Sequence, residues 1–79
     1  MLQKKTADQL PLERRILTAV WEMLKDFYDI TIDSDDWLAV LDRMEMIAAL
    51  APDGPAAGFA RAQALAIQTY LEDLSRERA

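Results

Sequence analysis

Residues 11–28 read PLERRILTAVWEMLKDFY and carry the spacing of apolar side chains that is typical of a helix. At about 100° per residue, the apolar members fall on one arc: Leu12, Ile16, Leu17, Val20, Trp21, Met23, Leu24, Phe27 and Tyr28. The arc spans about 200°, whereas one packing partner requires a stripe of roughly 100°. Pro11 suits the first position of a helix, and Glu13 suits the positive end of the helix dipole. We therefore expect a first helix over residues 11–29 that contacts two neighbours.

Two further helical segments follow this one. Asp33 or Ser34 can cap the free N–H groups at the start of a second helix over residues 34–50. The turn sequence Pro-Asp-Gly-Pro at residues 52–55 ends that helix, and its second proline suits the start of a third helix over residues 55–76. The β-prone triplet at residues 30–32 is too short to found a sheet. The sequence therefore predicts an all-α fold, a small three-helix up-down-up bundle. A flexible tail over residues 1–9 would precede a single helical domain over residues 10–79.

The apolar faces of the three segments define an expected core. Its predicted members are Ile16, Val20, Leu24, Phe27, Trp37, Leu41, Met44, Ile47, Phe59, Ile67, Tyr70, Leu71 and Leu74. On the third helix, Gly58, Ala62 and Ala66 lie four residues apart on one flank. That spacing favours ordinary tight packing or helix propensity over a functional helix–helix seam. Gln63 needs a hydrogen-bond partner if it is enclosed.

Composition excludes several classes of function. The chain has 79 residues without cysteine or histidine, so ordinary zinc sites, disulfides, thiol nucleophiles and Ser–His pairs are absent. Asp33, Asp35 and Asp36 resemble the start of a calcium-binding loop, but Leu38 and Met44 stand where glycine and glutamate are required. We therefore expect no enzyme, no cofactor and no metal. Because no apolar run reaches the ~18 residues that span a bilayer, we also expect a cytoplasmic protein without membrane contact.

Charge is distributed unevenly along the chain. Residues 22–45 carry eight acidic and two basic side chains, a net charge of −6, whereas residues 1–21 carry four basic and two acidic ones, a net charge of +2. Asp29, Asp33, Asp35 and Asp36 form either an acidic docking surface or a solvated loop with helix-capping acids. Direct nucleic-acid binding is not expected, because the overall charge is −5 and such binding requires clustered Lys and Arg.

Apolar content exceeds what one small core requires. The core of a bundle this small rarely contributes more than ~3–5 kcal/mol of folding stability when no disulfide or metal is present. Association would bury the additional apolar surface. We assign the association surface to the wide arc of helix one and to helix two, with Trp21, Leu38, Met46 and Leu50 as its named residues. The favoured function is a non-enzymatic protein-interaction module that forms a homodimer or binds another protein. The alternative is a small acidic inhibitor that imitates nucleic acid and blocks a nucleic-acid-binding protein.

Overall fold

The computed structural model describes residues 2–79 and consists of helices joined by short connections. A 3₁₀ turn at Ala7–Gln9 precedes three α-helices: α1 at Pro11–Phe27, α2 at Trp37–Ala49 and α3 at Gly54–Arg78. No β-strand occurs within these 78 described residues. Each α-helix contacts the other two. The predicted all-α class and the count of three helices are therefore confirmed.

The helix ends differ from the predicted ones by up to three residues. α1 ends at Phe27, and α2 begins only at Trp37. The late start of α2 has a local cause, because Ser34 Oγ accepts the Asp36 N–H at 3.0 Å and holds a turn there. The Trp37 indole N–H donates to the carbonyl oxygen of Thr31 at 3.0 Å, which ties the loop to the first residue of the helix. Residues 28–36 therefore form a structured loop between α1 and α2.

α3 is the longest element and begins at a specialised turn. Asp53 is extended, and Gly54 has φ of +75°, a left-handed conformation that favours glycine. At the other end the helix continues to Arg78, two residues beyond the predicted end. The Arg78 guanidinium donates to the carbonyl oxygen of Tyr28 and lies 4.9 Å from the centroid of the Tyr28 ring. The last turn of α3 is therefore attached to the end of α1.

The core takes side chains from all three helices. The largest fully buried ones are Ile16, Met23, Val40, Ile47 and Leu71. On α3 the buried line consists mainly of small residues: Ala57, Ala60, Ala64, Leu71 and Ser75. Because an alanine adds only a methyl group beyond the backbone, this line lets α3 lie close to its neighbours.

Two predicted core residues are on the surface. Leu41 is 45% exposed and Tyr70 is 47% exposed. Each is adjacent in sequence to a fully buried residue, Val40 and Leu71 respectively, and is rotated from it by about 100° around the helix. The prediction that Leu41 of α2 and Tyr70 of α3 belong to the core is therefore wrong.

The stripe of small residues on α3 does not pack inside the molecule. Gly58, Ala62 and Ala66 are all exposed. A Cβ atom built on Gly58 would meet nothing within 4 Å. Of the two expected explanations of this spacing, tight packing within the chain is therefore wrong, and helix propensity stays a prediction.

Candidate interaction surface

A line of large apolar side chains remains exposed on α1. It comprises Leu10, Leu17, Trp21 and Tyr28, which we call the α1 stripe; they are 39, 49, 56 and 43% exposed. Leu10 directly precedes the helix and Tyr28 directly follows it. The intervals of seven, four and seven residues keep all four near one side of the helix. After α1 has packed against both α2 and α3, this second apolar side is still without a partner within residues 2–79.

The N-terminal half of the α1 stripe borders a shallow apolar groove. Leu10, Leu17 and Trp21 line it together with Ala7 of the 3₁₀ turn, and its volume is about 370 Å³. Glu13, Arg14 and Thr18 also line it. Next to it, the Lys25 ammonium lies 5.7 Å from the centroid of the Trp21 ring and forms an ion pair of 2.9 Å with Glu22. The groove is thus an apolar surface with a charged rim, the arrangement found where protein surfaces associate.

The predicted interface residues of α2 do not form a comparable stripe. Leu38 and Met46 are 73 and 65% exposed. They lie eight residues apart, and the exposed carboxylates of Asp42 and Glu45 lie between them on the same side of α2. Leu50 is half-buried and packs against the core. Of the four predicted residues, only Trp21 belongs to the α1 stripe.

The sequence predicts this surface only in outline. The wide apolar arc of helix one, which contains Leu17 and Tyr28, is assigned to association as a whole with Trp21 as its named residue, and Leu10 lies outside that arc. The detectable signal was their spacing of seven, four and seven residues. Around the helix, the α1 stripe lies about 100° from the buried line of Ile16, Val20 and Met23.

The molecule exposes more surface than its mass predicts. Its accessible surface is 5822 Å² for 9.0 kDa. The usual scaling for monomeric proteins gives about 4,850 Å² at this mass, so the excess is about 1,000 Å². The exposed residues ahead of Ala7 contribute to this excess. For comparison, a protein–protein interface of standard size covers about 800 Å² on each partner.

The four acidic residues singled out in the sequence all lie on or next to the loop between α1 and α2. Asp29, Asp33, Asp35 and Asp36 are exposed, and none of them forms an ion pair with any residue between 2 and 79. By contrast, the carboxylate of Asp26 pairs with the guanidinium of Arg43 at 2.9 Å. The loop therefore presents four unpaired carboxylates to solvent at one end of the molecule.

Other kinds of site find no counterpart in the described part of the chain. No three His, Cys, Asp or Glu side chains between residues 2 and 79 cluster closely enough to hold a metal ion. None of the helices in that range combines the length and the apolar character needed to cross a bilayer. Comparison with known proteins finds no family model, no curated protein and no solved structure that matches this chain.

Proposed function

We propose that this chain is a non-enzymatic protein-interaction module that self-associates, and that the α1 stripe is the centre of the contact. The sequence pointed to helices one and two together. Because carboxylates interrupt the exposed apolar residues of α2, the proposal now centres on α1. The carrying observation is the set of four exposed apolar side chains, Leu10, Leu17, Trp21 and Tyr28, on one side of a helix that has already packed against two neighbours.

Two further features belong to the same proposal. We propose an up-down-up order of the helices, supported by the Asp26–Arg43 ion pair and by the contact of Arg78 with Tyr28. We also propose a cytoplasmic location, in keeping with a chain that has no apolar run of bilayer length. Neither feature is needed for the α1 stripe to associate.

Measurement of the mass in solution tests the proposal. At concentrations of tens of micromolar we expect a particle of twice 9.0 kDa by sedimentation equilibrium. Leu17→Glu should convert it to a monomer, because the substitution would bury a charge in the contact without an opposite partner. Met46→Glu is the matched control, since it makes the same chemical change at an exposed site on α2 and should leave the dimer intact.

Each outcome of this measurement decides a separate question. A wild-type chain that stays monomeric up to the highest soluble concentration would refute self-association. If Met46→Glu dissociates the dimer and Leu17→Glu does not, the contact lies on α2 instead. Circular dichroism of both variants should show unchanged helix content, because both side chains are exposed in the free chain.

A second candidate function rests on a different observation. The four unpaired carboxylates of Asp29, Asp33, Asp35 and Asp36 support an acidic inhibitor that competes with nucleic acid for a basic protein. Such an inhibitor should displace a labelled DNA duplex from a basic DNA-binding domain, and added salt should weaken its binding sharply. Replacing Asp33, Asp35 and Asp36 by Asn should abolish the displacement. Unchanged displacement by that triple variant would exclude this acidic surface.

A further inference from the structure

The α1 stripe has a spacing that is the same in both directions. Its intervals of seven, four and seven residues are symmetric about the level of residue 19. If a second α1 lies alongside in the opposite direction, Leu10 comes level with Tyr28 of the other copy, and Leu17 comes level with Trp21. A two-fold axis at the level of residue 19 therefore brings the stripe onto itself, as an isologous contact requires.

Side-chain size favours the same arrangement. With the helices antiparallel, each leucine of the stripe faces an aromatic ring, so the width of the filled space is similar along its whole length. With the helices parallel, Trp21 would face Trp21 and Leu17 would face Leu17. The paired aromatic rings would then hold the two helices apart, and the paired leucines would be too small to fill the space between them. The voids left at the leucines would weaken packing.

The charge distribution independently favours the antiparallel arrangement. Asp29, Asp33, Asp35 and Asp36 lie exposed on the loop that follows the C-terminal end of α1, whereas Lys4, Lys5, Arg14 and Arg15 lie in the basic region at its N-terminal end. The level of Arg14 and that of Asp29 are separated by about 22 Å along the helix direction, which is about twice the screening length at 0.1 M salt. A parallel pair would place the two acidic loops side by side. An antiparallel pair places each acidic loop beside the basic region of the other copy.

From the spacing, the side-chain sizes and the charges we infer that two copies of this chain pair antiparallel along the α1 stripe. The basic N-terminal end of each α1 then lies near the acidic loop of residues 28–36 of its partner. This inference rests on the proposed self-association and adds the direction of the contact.

Distances between spin labels test the direction. The chain has no cysteine, so a single introduced cysteine carries a single label on each copy. Thr18→Cys lies near the level of the two-fold axis and should give a label separation below about 25 Å in either direction, since packed helices lie 8–10 Å apart. Gln9→Cys lies at the end of the stripe and should give about 30 Å or more only in the antiparallel pair. Neither substitution changes a charge.

The two labels separate the failure of the inference from the failure of the proposed function. A short distance at position 18 with a distance of about 30 Å or more at position 9 is the expected result. Short distances at both positions would show a parallel pair and overturn the inference while self-association stands. No coupling between labels at either position, at a concentration of tens of micromolar, would overturn both.

Discussion

Replacing Trp21 with alanine tests the α1 stripe at its largest side chain. A tryptophan side chain can bury up to about 250 Å², and Trp21 is 56% exposed in the free chain, so about 140 Å² is available to a partner. If half of that area is covered, burial contributes about 1.8 kcal/mol per copy at 25 cal/mol per Å². A two-fold dimer contains the residue twice, which gives about 3.5 kcal/mol. The dissociation constant of Trp21→Ala should therefore rise about 300-fold.

Sedimentation equilibrium over a range of concentrations measures this constant. The matched control is Leu38→Ala, which removes a side chain that is 73% exposed on α2 and should change the constant less than about fivefold. Urea denaturation of each variant at low concentration checks that the monomer still folds. A Trp21→Ala chain that dimerises as tightly as the wild type would refute the assignment of Trp21 to the contact. An equal loss in both variants would show that the effect is not specific to the stripe.

Three further predictions concern the fold and the charge of the contact. Gly54→Ala should destabilise the protein by about 1 kcal/mol in urea denaturation because its φ is +75°. Gly58→Ala should stabilise it by about 0.5–1 kcal/mol, since that site is helical, exposed and open; equal effects of the two changes would contradict this reasoning. Leu71→Ala should cost about 2–5 kcal/mol, whereas Leu65→Ala, at a site 55% exposed, should cost under about 0.5 kcal/mol. Raising NaCl from about 0.05 M to about 0.5 M should weaken an antiparallel dimer; tighter association at high salt would instead indicate like charges in contact.

The sequence was sufficient for the class of the fold because three segments have a helical period and two strong turn signals separate them. It was less informative about which side of a helix enters the core. α2 is apolar around most of its circumference, with Leu38, Ala39, Met46 and Leu50 outside the regular face. Periodicity alone therefore could not assign Leu41 to the surface.

α3 was ambiguous for a different reason. Its buried line is occupied by alanines, whereas larger residues such as Tyr70 lie beside it. A reading that ranks residues by size and hydropathy prefers the tyrosine to Ala60 or Ala64. The distance between helix axes, which decides how large a buried residue can be, is set by three-dimensional packing and not by any local pattern.

The candidate surface was predicted in part. Trp21 was recognised because it lies at the edge of the wide arc of helix one. Leu17 and Tyr28 could not be singled out within that arc of about 200°, because periodicity does not show which part of it contacts neighbours within the chain and which part is left for association. The structure shows that α1 does contact two neighbours and still leaves apolar side chains exposed. An arc of this width can therefore hold an internal contact and an external one together.

The alanine line on α3 has a consequence for which substitutions the protein tolerates. Ala60 and Ala64 are 0 and 2% exposed, so each occupies a space the size of a methyl group against neighbouring helices. A valine or leucine there would be more apolar than alanine and yet more harmful, because it would push the helices apart. On the opposite side of α3, at Gly58 or Ala62, the same enlargement meets open space. In a library of all substitutions along α3, stability should therefore fall as side-chain volume increases on the buried side of the helix. On the exposed side, stability should depend little on side-chain volume.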